Sequence, residues 1–306
     1  MSEYQLEQVK AFLDRGQIDS AIEKLKELLG RDPQKAIYHG FLASCLIEKF
    51  RLNAAEFEIK IALNLDPSEA YFFLVLARLN LLKARYKKAH EFCDQALRLD
   101  SNSSDAYLLK SSVFLLEGKR KQALDFIHDA ARIEPDSAEI ISAYGKYYYA
   151  IGSLQDALAY AESALGVDAH DEEANILMGE VQLAKGNVDE AEYHAKFVIS
   201  QNPESREALR LFSNIKMRRN WFLGLWWRFN SKMASLSDTK ASLVLIGGFL
   251  FFNLASQITR DFGNPGLAGL VSNAWLILVV YSWVGIPLYY KALKKEMEKF
   301  SFNRNF

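Results

Sequence analysis

Cysteine is nearly missing: the chain has two in 306 residues, Cys45 and Cys93. They lie far apart on expected helices, which excludes a disulfide framework and points to buried, reduced thiols. The five histidines, His39, His90, His128, His170 and His194, are scattered. None stands at ligand spacing from a cysteine or glutamate, so no metal site is expected. No glycine-rich phosphate cradle and no Gly-x-Ser-x-Gly nucleophile elbow occurs. These gaps leave no residue constellation for an enzyme, and no cofactor is expected. The start, Met1-Ser2-Glu3-Tyr4-Gln5, has neither a basic nor an apolar run, so no secretory signal is read there.

What the chain does have is a period. Alanine recurs every 34 residues at Ala21, Ala55, Ala89, Ala123, Ala157 and Ala191. Eleven to twelve residues on, in the same phase, come Asp32-Pro33, Asp66-Pro67, Asp100-Ser101, Glu134-Pro135, Asp168-Ala169 and Asn202-Pro203. A third mark is Gly16, Gly118, Gly152 and Gly186. Self-similarity of this length is the signature of a solenoid of helical pairs. The glycine falls between the two helices, where chain reversal needs positive φ. The acidic residue and proline end the second helix. The recurring alanine lets the partner helix come close, as does a second small position at Ala62, Ala96, Ala130 and Ala164, which becomes Leu28 and Val198 in the end units.

With these marks, residues 1–203 resemble the tetratricopeptide repeat family, as six repeats. The family's small residue on the first helix matches Ala43, Ala77, Gly145 and Gly179, while Val9 and Ser111 depart and the early Trp is absent. The resemblance implies an all-α fold, a right-handed superhelix whose concave groove is lined by the first helix of each pair. It also implies a protein partner held in that groove, a peptide or helix segment. The groove residues expected to carry binding are Phe41, Tyr71, Leu74, Arg78 and Lys146. Lys10 and Ser44 stand where chaperone-binding members grip a C-terminal carboxylate, so that mode is not expected here.

After Pro203 the chain becomes a different material. Residues 204–220 read as a capping helix that covers the last exposed solenoid face. Residues 221–240 hold Trp221, Trp226, Trp227 and Arg228, a mixture suited to a helix lying in the headgroup layer. Two charge-free stretches follow, 241–259 and 262–290, although a quarter of the whole chain is charged. They read as a transmembrane hairpin over 241–290, with spans at about 241–259 and 267–290. Gly248 is a close-approach position, and Asn253 and Asn273 stand at similar depth, able to bond across the hairpin or between copies in a homo-oligomer. Residues 291–306 form a basic tail.

Charge separates the two materials. Residues 1–203 hold 23 Lys+Arg against 32 Asp+Glu, net −9; residues 204–306 hold 14 against 6, net +8. Lysine and arginine flank the hairpin on its outer sides, so both chain ends are expected in the cytoplasm, with a bacterial inner membrane as the expected location. Acidic repeats argue against nucleic acid, which needs a basic footprint. The expected function is therefore a membrane-anchored scaffold, with the lipid bilayer as a second partner. The alternative is a non-catalytic subunit of a membrane enzyme or transport complex assembled through the hairpin.

Overall fold

The computed structural model describes residues 2–203, 205–219 and 238–274. The chain divides into two compact units, Met1–Ile215 and Lys216–Phe306. Among the described residues, the first unit contains six helical pairs: α1 (Ser2–Asp14) with α2 (Ile18–Arg31), α3 (Ala36–Glu48) with α4 (Leu52–Leu65), and α5 (Ala70–Leu82) with α6 (Tyr86–Leu99). The remaining pairs are α7 (Ser104–Leu116) with α8 (Arg120–Ile133), α9 (Ala138–Ile151) with α10 (Leu154–Val167), and α11 (Glu172–Lys185) with α12 (Val188–Gln201); α13 (Arg206–Arg219) follows.

Each recurring alanine is wholly buried, from Ala21 through Ala191, and so are Ala62, Ala96, Ala130 and Ala164 of the second small column. The reason is close approach. A methyl group placed on Gly145 would stand 2.3 Å from Leu177 Cδ2, and one on Gly179 2.5 Å from Leu211 Cδ2. Leucines of the next repeat thus fill the space that small residues leave. The last repeat is covered by α13, which buries Ala208, Leu211, Phe212 and Ile215.

The turn between paired helices requires positive φ in all six repeats, not in the four that carry glycine. Gly16, Gly118, Gly152 and Gly186 have φ of 65° to 99°, and the corresponding Phe50 and Ala84 have φ of 55° and 53°. Each side chain there stores strain of about 1–2 kcal/mol, held by the packing on either side. The second helices end on an acidic or amide residue for a different reason. Asp66 Oδ1 accepts from the Ser68 N–H at 3.0 Å, Asp100 Oδ1 from Asn102 N–H at 3.0 Å, and Asp168 Oδ1 from His170 N–H at 2.8 Å. Each side chain thereby satisfies a backbone donor of the turn that leads into the next helix. Glu134 is too long for this and accepts instead from Ser104 Oγ, 30 residues earlier, at 3.0 Å.

Each pair packs on the next, and first helices also touch first helices: α3 on α5, α5 on α7, α7 on α9, α9 on α11. The layer whose members meet one another is the inner one, so the first helices line the concave side. The solenoid curves far enough for its ends to meet. A methyl group on Gly16 would lie 3.4 Å from the Gln201 carbonyl oxygen and 3.5 Å from Asn202 Cβ. The Arg206 guanidinium sits 3.6 Å over the Phe50 ring, a cation–π contact between the second repeat and the start of α13. A shallow cleft at this closure is lined by Glu48, Lys49, Phe50 and Arg206.

In the second unit, α14 (Asp238–Asp261) contains the expected first span. A turn through Gly263, at φ 79°, leads to a second helical stretch, residues 265–274. Ser256 Oγ donates to the Ala268 carbonyl at 2.8 Å and joins the two. The expectation of a transmembrane hairpin meets a different finding: among the described residues, no helix is long and apolar enough to cross a membrane. Asn253, Ser256, Gln257 and Thr259 dilute the apolar run of α14, and Asp238, Lys240, Arg260 and Asp261 bound it. Most of the expected second span, the capping position Asn220, the interfacial segment 221–237 and the tail 291–306 lie outside the described residues.

Candidate partner-binding groove

The period places groove residues in columns. On α5, Tyr71, Leu74 and Arg78 follow at spacings of three and four and share one helical face. Shifting by the period gives Asp105, Leu108 and Ser112 on α7, Glu139, Ser142 and Lys146 on α9, and Glu173, Ile176 and Glu180 on α11. Glu207 and Arg210 continue the first two columns on α13.

The columns divide the groove in two. Around α3 and α5 it is aromatic. The Phe41 and Tyr71 rings pack at 5.1 Å, tilted by 35°, and both lean on the buried core of the first repeats. Burial pushes the Tyr71 phenol up to about 12 even though Ser44 hydrogen-bonds to it. Leu74 is half-buried beside them, and Arg78 pairs with Glu48 at 2.7 Å. Thus four of the five residues expected to bind a partner come together. Phe41 and Tyr71 also serve the core.

The fifth, Lys146, stands apart in the other half, where carboxylates dominate. Its ammonium pairs with Glu173 at 2.8 Å. Burial works against the charge on Lys146, but Glu173, Glu207 and Glu180 outweigh it and raise its pKa. Arg210 reaches Glu180 at 3.3 Å. Asp105, Glu139, Glu173 and Glu207 all touch solvent. Burial, reinforced by Glu134, raises the Asp105 carboxyl; burial, reinforced by Asp105, Glu173, Asp171 and Glu134, raises that of Glu139. Ser142 lies between Glu139 and Lys146 on the α9 face, wholly buried, and its hydroxyl has no hydrogen-bond partner.

The acidic column is absent from the residues expected to bind, yet the signal was available. Asp105, Glu139, Glu173 and Glu207 recur at the same 34-residue period as the packing alanines. It is obscured because each lies in the first turn of its helix, where an acidic residue also suits the helix dipole.

In the second unit, Asn253 is exposed and donates to the Phe249 carbonyl of its own helix at 2.9 Å. Asn273 is exposed and Gly248 half-exposed. The contact between the two helical stretches runs instead through Ser256 and Ala268. Trp221, Trp226, Trp227 and Arg228 lie outside the described residues. Among the described residues, no group of three or more His, Cys, Asp or Glu is placed to hold a metal ion.

Residues 12–79 and 148–215 match the tetratricopeptide repeat family. No curated protein matches the chain. Several solved structures share its fold. A thermophilic TPR protein of Thermus thermophilus is 21% identical with a TM-score of 0.53, covering 60% of this chain and 99% of that one. The anaphase-promoting-complex assembly Cut9–Hcn1 is 15% identical with a TM-score of 0.60, covering 91% of this chain and 53% of that one. The IFIT1 monomeric mutant with Gppp-AAAA is 16% identical with a TM-score of 0.59, covering 91% of this chain and 72% of that one. At these identities the likeness concerns the fold alone. With the period, the buried small columns and the paired helices, it identifies the first unit as a solenoid of tetratricopeptide repeats.

Proposed function

We propose that this protein is a non-catalytic scaffold whose solenoid holds a segment of a protein partner in its concave groove. The observation that carries this is the inner layer itself. First helices meet edge to edge and present one continuous face of aromatic and charged side chains, from Tyr71 and Arg78 to Lys146 and Glu180. A photo-crosslinking residue at Ser112, on the groove side, should capture the partner; one at Phe57, exposed on the outer helix α4, should not. Tyr71→Ala combined with Arg78→Glu should abolish the Ser112 crosslink. Equal capture from Phe57 would refute the groove reading.

Membrane attachment is part of the same proposal. It is supported by the charge-free stretches in the sequence and by the apolar surface of the second unit. Ile246, Phe249, Leu250, Phe251, Leu254, Ile258, Leu267 and Leu270 are each about half or more exposed, and Phe262 is 80% exposed. Isolated exposed leucines are ordinary, but a contiguous set on one helix needs a cover. Lipid fits, because the flanking residues are basic and the solenoid is acidic. Alkaline carbonate extraction of membranes checks this: the full chain should stay in the pellet, and recovery in the supernatant would remove the anchor from the proposal. Cytoplasmic placement of both ends is tested by protease protection in intact cells or spheroplasts.

A further inference from the structure

The two halves of the groove differ in chemistry, and that difference specifies the occupant. This inference rests on the groove reading above and deepens it. The inner column that holds Ile37 and Tyr71 in the second and third repeats becomes Asp105, Glu139, Glu173 and Glu207 in the following helices. Sequential first helices pack side by side, so these carboxylates form a ladder along the concave side. Residues 136–203 hold 12 acidic against 3 basic side chains, whereas residues 1–135 hold 20 of each. Along the ladder, Lys146 and Arg210 offset some of this charge, and each is already engaged, with Glu173 and Glu180.

A second, independent observation marks the site as incomplete. Ser142 is completely buried, lies on the face of α9 between Glu139 and Lys146, and has no partner for its hydroxyl. Buried polar atoms are almost always satisfied. The Ser142 hydroxyl thus lies unpaired beneath the row of carboxylates.

We propose that the groove binds an extended, basic segment of a partner protein, with lysine or arginine side chains facing Asp105, Glu139, Glu173 and Glu207 and apolar side chains facing Phe41, Tyr71 and Leu74. The ladder supplies acceptors spaced one repeat apart, which suits an extended chain and not a compact cation. Arginine gains more than lysine here, because its planar fork meets a carboxylate with two hydrogen bonds. The aromatic half fixes direction: an apolar stretch at one end seats on the Phe41–Tyr71 pair and sets the register of the cations beyond it. The acidic half supplies long-range attraction and fast encounter, and so a strong dependence on salt.

Fluorescence anisotropy with the full chain in detergent or nanodiscs tests this. The probes are a labelled peptide with an aromatic-apolar end and an arginine-rich end, the same peptide with glutamate in place of arginine, and the basic end alone. The first should bind and weaken steadily with added salt. The glutamate peptide should not bind, and loss of the apolar end should weaken binding. Glu139→Gln with Glu173→Gln and Glu207→Gln should weaken the first peptide by roughly tenfold, as expected of three partly screened ion pairs. Tyr71→Ala should weaken it without changing the salt dependence. Circular dichroism of the triple variant controls for folding, and the single variant Glu139→Gln gives the same sign with a smaller loss if the triple one unfolds. If the glutamate peptide binds as well as the basic one, or the triple variant binds unchanged, the proposal is wrong while the groove reading survives. If no peptide binds and Ser112 captures no partner, the groove reading itself fails. If deletion of residues 291–306 is required before any peptide binds, the occupant is the chain's own basic tail, and a partner segment is overturned.

Discussion

The first and second halves of the solenoid are built alike and lined differently. Both bury the same columns of alanine, from Ala21 and Ala55 to Ala157 and Ala191, and both carry the turn at positive φ. Yet the concave column is apolar at Ile37 and Tyr71 and acidic from Asp105 to Glu207. Positions that set the distance between helices are fixed by volume, since even one methylene is felt in a close-packed interior. The column positions Asp105, Glu139, Glu173 and Glu207 touch solvent and are free to follow whatever the groove holds.

The largest effect that could break this comparison lies in the core. Phe72 and Leu177 are both fully buried, one in each half. Phe72→Ala should cost about 3–5 kcal/mol and Leu177→Ala about 2–5 kcal/mol in urea denaturation. If either substitution proved nearly neutral, the two halves would not share one packing scheme.

A smaller effect sharpens it at the turns. Ala84 occupies the left-handed position that Gly118 occupies one repeat later. Ala84→Gly should stabilise the protein by up to about 1 kcal/mol, and Gly118→Ala should destabilise it by a similar amount, read as opposite shifts in thermal midpoint. Two shifts of the same sign would mean that packing around the turn, not backbone strain, dominates there.

The smallest expected effect is a redistribution of stability with pH. Hydrogen bonds from Lys83 and then Lys60 lower the Glu56 carboxyl to about 2 in the second repeat. Its contribution is complete above its unfolded value of 4.5 and is lost as pH falls below that toward 2. The raised carboxyls Glu139 and Glu180, which burial pushes above 4.5, do the opposite. They bind protons more readily folded than unfolded, so they oppose folding at neutral pH and that opposition eases as pH falls toward 4.5. Hydrogen exchange should therefore show α9 and α11 gaining protection relative to α3 and α4 as pH drops from neutrality to 4.5, after correction for intrinsic rates. Uniform change across both halves would deny the acidic ladder any energetic weight.

Most of the solenoid was legible before any coordinates. The alanine column, the acidic helix ends and four of the six turns were visible because each reflects a local steric demand repeated at one period. Phe50 and Ala84 were not, since nothing in a phenylalanine or alanine announces positive φ; the packed repeats on either side impose it. Of the expected groove residues, Phe41, Tyr71, Leu74 and Arg78 do gather. Lys146 was grouped with them because helix phase alone says nothing about the charges on neighbouring first helices. In the second unit Asn253 turns back on its own helix and Ser256 makes the contact to Ala268. No spacing in the sequence marks which hydroxyl lies opposite Ala268.

The sequence by itself determined that the chain repeats, where each helix ends, and which side chains are small enough for helices to meet, because those are properties of neighbours within one period. Only the tertiary structure decided what lies across the curve: that Gly16 comes to Asn202 and that Arg206 covers Phe50. Such contacts depend on the small rotation between successive repeats, summed over six of them, and no local stretch of residues encodes that sum.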